Sequence, residues 1–403
     1  MAVGEASLDF HVVPGVKLAS VACGLKPEGI HDLVMFEFVK GSVTAAVFTK
    51  SLFAAAPVEV GRSHLTQTSP RYFLINSGNA NAATGDAGIA DSIICCKALS
   101  QFSGSRPEET IPFSTGVIGE RLQVNLITDA LERLLPELSE DQWLEAARGI
   151  MTTDTRPKVA TRQAVISGVT VTITGIAKGS GMIQPNMATM LSYIATDASI
   201  DRLTLQELLD KAVNKSFNRI TVDSDTSTND SCMLTATGVS GLVIGKDSPE
   251  ATEEFYNLLE GLMVELAQGI IRDAEGATKF VEVQVINGST QKDCLNIAYA
   301  IANSPLIKTA IFASDANWGR IVMAIGKADA DIDITRLNVF IGDVQLMAGG
   351  GRAADYEESM GAEAMSGEEI TIRVDLGSGL FSETVWTSDL SHEYVRINAE
   401  YRT

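Results

Sequence analysis

The chain has 403 residues, which a prior of roughly 150 residues per domain divides into two or three domains. Its 51 acidic and 31 basic side chains leave a net charge of -20. That balance argues against a nucleic-acid partner and against docking on anionic lipid, since both need concentrated basic surface. With 45% hydrophobic and 20% charged residues, the composition is that of a globular protein with a large core, and its acidity reads first as solubility.

Residues 1–10 show no basic stretch followed by an apolar one, so no secretory signal is expected. No apolar run approaches the ~20 residues of a membrane-spanning helix. The cysteines, Cys23, Cys95, Cys96, Cys232 and Cys294, show no metal-site spacing and read as buried free thiols of a reducing, cytoplasmic compartment. Segment 76–85, rich in Asn, Gly and Ala, follows the apolar run 72–75 and reads as a tight loop after a strand. Segment 112–119 contains Ser114-Thr-Gly116, a turn able to aim N–H groups and a hydroxyl at one point, as an oxyanion hole requires. Taken alone, each is more often an ordinary turn.

Residues 127–135 read as a helix and 168–175, alternating Thr with apolar residues, as a strand. Segment 178–190 opens Lys-Gly-Ser-Gly but lacks the spacing of a phosphate loop. Within it Ala188-Thr-Met-Leu191 places a hydroxyl residue after a small one and before apolar ones. Such a threonine can attack the carbonyl before it, and hydrolysis of the resulting ester would leave Thr189 as a new N-terminus. Its α-amine, with an ordinary pKa of about 7.7–8.0, can then act as base for its own hydroxyl. A buried threonine on a strand is the commoner outcome of such a pattern.

Residues 203–217 read as a helix, and 217–230 as a loop crowded with acids and hydroxyls but without an EF-hand pattern. Ser248-Pro249 opens a longer helix with Phe255, Leu258, Leu259, Leu262, Leu266 and Ile270 on one face. Segment 272–280, which carries Glu275, leads into a strand at 281–285, and 369–375 is a further strand. Strands and helices mix without βαβ alternation, which favours an α+β fold. No composition shift marks a domain boundary. The histidines are His11, His31, His64 and His392, with no Gly-x-Ser-x-Gly elbow and no HExxH near them. A Ser-His-Asp hydrolase and a metal hydrolase are both poorly supported, so an enzyme of this sequence needs a base other than histidine.

Many ordered motifs together resemble the ornithine acetyltransferase (glutamate N-acetyltransferase) family of arginine biosynthesis, over nearly the whole chain. They are Ala46-Val-Phe-Thr49, 76–85, Phe113-Ser-Thr-Gly116, Met151-Thr-Thr-Asp154 and 177–191, then 222–230, Glu275-Gly-Ala-Thr-Lys-Phe280, Ser304-Pro-Leu-Ile-Lys308, Ser314-Asp-Ala-Asn-Trp-Gly-Arg320 and 394–403. Gln184 stands where such proteins often have His, and Ser224 where Gly is usual. The resemblance implies a layered α/β sandwich like that of N-terminal nucleophile hydrolases but differently connected. It implies self-cleavage between Ala188 and Thr189, giving chains 1–188 and 189–403 that pair as a heterotetramer. Thr189 would be the nucleophile that moves acetyl from N2-acetylornithine to glutamate. Thr115 and Gly116 match the oxyanion pair, and Thr152, Lys178, Thr189, Glu275, Asn398 and Thr403 the substrate contacts, with no metal and no resident cofactor. A carboxylate suits Lys178 and the ornithine amine suits Glu275. Some members also take acetyl from acetyl-CoA, and no residue here assigns the chain to either group. Two other readings stay open on residues alone: an amidohydrolase or aminopeptidase of the same nucleophile logic, and a small-molecule binding protein without covalent chemistry.

Overall fold

The computed structural model describes residues 2–184 and 190–400, so the expectations placed on Ala188, Thr189 and Thr403 lie outside the described residues. Two compact units emerge: one of Ala6–Asn218 with Asp225–Ile270, the other of Met1–Glu5, Arg219–Ser224 and Ile271–Thr403.

In chain order the first unit carries β1 (Val16–Val21), β2 (Leu33–Phe38), β3 (Val43–Phe48), α1 (Ala56–Gln67), β4 (Tyr72–Asn79), α2 (Gly85–Ser103) and β5 (Thr110–Val117). It continues with α3 (Val124–Leu134), α4 (Trp143–Gly149), β6 (Lys158–Ile166), β7 (Val169–Lys178), β8 (Leu191–Thr196), α5 (Arg202–Lys215), β9 (Ser231–Ala236) and α6 (Pro249–Arg272). One sheet runs β1-β2-β4-β5 and the other β3-β9-β8-β7-β6. Their facing sides share one core, in which Leu18, Phe36, Phe73 and Phe113 meet Ile176, Tyr193 and Met233. Phe113 and Tyr193 interlock edge to face at 5.0 Å, a favoured aromatic geometry. On the outer side of the first sheet Leu33, Met35 and Leu74 pack with Leu99 of α2 and Ile127 and Leu131 of α3. The outer side of the second sheet is covered by α6, whose Leu262 and Leu266 stand against Gly175 of β7. There Gln206 of α5 also hydrogen-bonds both backbone groups of Ala46. Helix, sheet, sheet, helix is thus the layering, and the α+β sandwich expected from the sequence is the fold.

The second unit carries β10 (Phe280–Gly288), α7 (Gln291–Ala302), α8 (Pro305–Phe312), α9 (Trp318–Gly326), β11 (Asn338–Ile341), β12 (Val344–Ala348), α10 (Glu358–Ala364), β13 (Glu369–Asp375), β14 (Phe381–Ser388) and α11 (His392–Ala399). Its main strands lie in the order β14-β10-β13-β11-β12, with two-residue strands at both edges. Alternation along β10 turns Val281, Val283 and Val285 onto Ile297 and Ile301 of α7 and Ile321 and Ile325 of α9.

The helix expected after Ser248 runs as α6, and the strand expected at 369–375 is β13. Two local expectations need correction. The loop expected from residue 76 starts later, because β4 runs through Asn79, and Ser114-Thr-Gly116 is not a turn but the end of β5. Parallel pairing of β4 with β5 carries both segments on as strand. Glycine marks close backbone approach here rather than a reversal of the chain.

Candidate active site

At the ends of β4 and β5, Gly78 lies opposite Gly116. Both have positive φ, 108° and 133°, a region open chiefly to glycine. A Cβ on Gly116 would stand 2.3 Å from the Gly78 carbonyl carbon, so no other residue fits. Buried amides fix the surrounding backbone. Asn76 Nδ2 donates to Asn79 O at 2.8 Å, and Ser114 Oγ donates to Asn76 Oδ1 at 2.6 Å. Asn229 Nδ2 donates to both Ala80 O (2.7 Å) and Ser114 O (2.8 Å). Thr115 and Gly116 are therefore held by contacts on both sides, the rigidity that charge-stabilising donors need.

Lys178, buried at the end of β7, donates to Thr115 Oγ1 at 3.2 Å and to Thr152 Oγ1 at 2.9 Å. An ammonium can only donate, so each threonine oxygen accepts and each hydroxyl proton is turned elsewhere. Beneath them Asp154, its carboxylate fully buried, binds three groups. Oδ1 accepts from Lys158 Nζ at 2.5 Å and from Gly179 N at 2.8 Å, and Oδ2 from Thr152 N at 3.0 Å. One carboxylate thus fixes the peptides of Thr152 and of the residue after Lys178. Burial works against its charge, but the Lys158 and Lys178 ammoniums and the Gly179 N–H outweigh it. They hold Asp154 ionised well below the usual carboxylate range. A further cation, Lys26, donates to Met151 O at 2.5 Å. Burial, with the Lys178 charge, pushes its ammonium down to about 8 against the opposing pull of Asp32 and Asp154.

In the second unit Glu275 is buried and accepts from Asn398 Nδ2 at 2.7 Å. The same amide reaches Tyr394 O at 3.0 Å, and Tyr394 Oη donates to Asp223 Oδ2 at 3.1 Å. Ser391 caps α11 by accepting from Glu393 N and Tyr394 N, and donates to Gly276 O at 2.6 Å. Gly276 has a φ of 68°, and a Cβ there would lie 2.5 Å from Tyr394 N. The C-terminal helix is thus stapled to the turn carrying Glu275. Next to it Asp389 accepts from Thr278 N, Thr278 Oγ1 and Lys279 N. Lys308 donates to Thr387 Oγ1 at 2.8 Å, and burial pushes its ammonium down to about 8 against the pull of Asp389 and Asp223.

Among the residues expected from sequence, the structure brings Thr115, Gly116, Thr152 and Lys178 together in one unit and Glu275 with Asn398 in the other. Sequence reasoning passed over Asp154, Lys158 and Lys26. The first two had a faint signal, an acid four residues before a lysine at the end of the Thr-Thr-Asp motif; Lys26 had none. The histidines have structural surroundings: His64 Nδ1 donates to Thr110 O at 2.7 Å, His31 bonds Ser20, and His392 meets the Phe312 ring at 5.6 Å. All five cysteines are buried and unpaired, and burial raises the thiols, Cys23 and Cys95 to about 12. No group of three or more His, Cys, Asp or Glu suited to a metal occurs among the described residues. None of their helices is long and apolar enough to cross a membrane.

The ArgJ family model matches residues 17–403. An arginine biosynthesis bifunctional protein ArgJ from Pseudomonas syringae pv. tomato is 52% identical, covering 100% of this chain and 100% of its own. The protein of the same name from Methylococcus capsulatus is 49% identical over 97% of this chain and 96% of its own. A crystal structure of an arginine biosynthesis bifunctional protein ArgJ from Bacillus halodurans is 36% identical over 51% of this chain and 96% of its own, with a TM-score of 0.49. On the match to residues 17–403 and the 52% identity over the full chain, the chain belongs to the ArgJ family.

Proposed function

We propose that the chain is an acetyltransferase of arginine biosynthesis that cleaves itself between Ala188 and Thr189 and then carries acetyl from N2-acetylornithine to glutamate on the Thr189 hydroxyl. Family membership supports the reaction class. The observation that carries the chemical reading is the Lys178–Thr115–Gly116 corner. Because Thr115 Oγ1 accepts from Lys178, its own O–H is available to an oxyanion beside the Gly116 N–H.

In the first half-reaction Thr189 Oγ attacks the acetyl carbonyl carbon, and its proton passes to the Thr189 α-amine. The oxyanion is taken by Thr115 and Gly116. The C–N bond then breaks, the proton goes from the α-amine to the departing ornithine nitrogen, and acetyl stays as an ester. The second half-reaction reverses these steps with the glutamate α-amine as attacking group. No step requires a metal or a resident cofactor. Lys178 and Thr152 serve the carboxylate common to both amino acids, Glu275 and Asn398 the ornithine side-chain ammonium, and Thr403 a further substrate contact. Strands from either side of the Ala188–Thr189 bond, β7 and β8, pair in one sheet, which supports processed chains that stay together, and two such pairs would make the heterotetramer.

Intact mass of the purified protein tests the cleavage: fragments of 1–188 and 189–403 are expected, and a single full-length species counts against it. Incubation with N2-acetylornithine and glutamate should give N-acetylglutamate; free acetate alone would mean a hydrolase. Thr189→Ala should give one uncut chain without transfer, and normal processing in that variant would overturn the nucleophile. Running the assay with acetyl-CoA in place of N2-acetylornithine decides whether the second donor is used.

A further inference from the structure

Lys26 is a cation at this corner to which the reaction above gives no work, and unlike Lys158 it is not spent on Asp154. Its position is built, not incidental. The turn that carries it is wound on the fully buried Asp32, whose carboxylate accepts from Cys23 N (2.5 Å), Gly24 N (3.1 Å) and Lys26 N (2.8 Å). Asp32 O in turn accepts from Ser77 N at 2.8 Å. The same turn presses on the oxyanion corner, since Leu25 O lies 2.9 Å from where a Cβ on Gly78 would stand, and Gly78 backs Gly116. From there the half-buried side chain extends to Met151 O, while Lys178 reaches Thr152 Oγ1 on the next residue. Two ammoniums thus converge on consecutive residues. Among the described residues Lys26 uses one of its three N–H donors, on Met151 O. The nearby acids are already committed: Asp32 to its turn, Asp154 to Lys158, Gly179 and Thr152.

The two substrates differ in a way that this second cation answers. N2-acetylornithine brings one carboxylate and a side-chain ammonium; glutamate brings two carboxylates. Lys178 suffices for the carboxylate they share. The acceptor's second carboxylate then needs a positive partner of its own. We propose that Lys26 is that partner: an anion subsite, beside Met151 and Thr152, that selects a dicarboxylic amino acid as acyl acceptor. This inference rests on the acetyl-transfer reading.

The processed wild-type enzyme and Lys26→Met are compared in steady-state transfer from N2-acetylornithine, with glutamate or glutamine as acceptor. In Lys26→Met the KM for glutamate should rise by a factor at least about tenfold larger than the KM for N2-acetylornithine, as expected for loss of a charge-assisted hydrogen bond. The preference for glutamate over glutamine should shrink by a similar factor, and Lys26→Arg should restore most of it. Equal increases in both KM values, or a preference that survives in Lys26→Met, would overturn the proposal. A measurement on the wild type alone guards against a variant that fails to fold: glutarate should compete with glutamate at least about tenfold more tightly than butyrate does. Equal inhibition by the two refutes the subsite. Wild-type enzyme that makes no N-acetylglutamate at all overturns the transfer reading itself, a result distinct from transfer without acceptor selectivity.

Discussion

Asp154→Asn separates electrostatic from structural accounts of the corner. The wild-type carboxylate meets three donors, one of them the Lys158 ammonium, and breaking a buried ion pair typically costs about 3–5 kcal/mol. A ceiling applies, because a buried lysine can shed its proton instead. From an ordinary lysine value of about 10.4, deprotonation costs about 4.6 kcal/mol at pH 7 and about 1.9 kcal/mol at pH 9. Asparagine also turns an N–H toward one of the remaining donors, a loss of about 1–3 kcal/mol that does not depend on pH. Where the folded variant holds this lysine neutral, the unfolded chain binds one more proton than the folded one, so stability rises with pH. The wild type shows a dependence of the same sign, but at the acid end. Its depressed Asp154 contributes stability present above the unfolded carboxyl value of about 3.9, lost as pH falls through the lower folded value. Urea unfolding of both proteins at pH 7 and pH 9 is the assay. The gap between them should narrow by about 1–3 kcal/mol at the higher pH. A loss under about 1 kcal/mol, or one that does not change with pH, would refute the reasoning. The KM for N2-acetylornithine should stay raised at pH 9, since neither Thr152 N nor Gly179 N regains its carboxylate.

Gly116→Ala must place a methyl 2.3 Å from the Gly78 carbonyl carbon at a φ of 133°; a loss of more than about 3 kcal/mol and failure to process are expected, and a wild-type Tm with normal cleavage would contradict the geometry. Removing residues 398–403 takes away the Asn398 bond to Glu275 and should lower activity more than Tm; equal losses would show a merely structural tail. A thiol reagent should find all five cysteines slow in the native protein and all five fast in denaturant, given their burial. Lys26 is faced by Asp32, Asp154, Lys178 and Cys23 and sits at about 8. Its charge is present below that pH and lost above it, so the KM for glutamate should climb above pH 8 while that for glutamine stays level; parallel profiles would count against the anion subsite.

What the sequence made legible was local. The strand at 369–375 coincides with β13, and α6 begins at the proline after Ser248 with Phe255, Leu259, Leu262, Leu266 and Ile270 buried. Each is encoded within a few turns or pleats of itself. Ser114-Thr-Gly116 was misread in shape, because glycine signals a turn when only the near neighbours are known. What requires glycine there is Gly78, 38 residues earlier, brought alongside by parallel strand pairing. Lys178 meets Thr115 across 63 positions, and no periodicity carries that information. Asp154 and Lys26 were overlooked for a related reason: an acid and a lysine in loops look solvated until the packing that buries them is known.

The sheet order β3-β9-β8-β7-β6 has a consequence for the proposed cut. Strands β3, β6 and β7 precede the Ala188–Thr189 bond and β8 and β9 follow it, so two strands of the later chain lie between strands of the earlier one. Two ladders join the chains: β7 with β8 from Ile173↔Thr196 to Lys178↔Leu191, and β9 with β3 from Ser231↔Phe48 to Ala236↔Val43. Pulling the later strands out would break both ladders and strip Leu191, Tyr193 and Met233 from the shared core, at about 1.5–3 kcal/mol for each large side chain exposed. Neither of the chains that the proposed cut would leave holds the whole sheet, so the proposed order is folding as one chain first and cleavage second. On the later side of the proposed cut, Met190, just before β8, donates its N–H to Asp230 Oδ1 at 2.9 Å. Folding first and cutting second would supply a free α-amine without asking two separate chains to find each other.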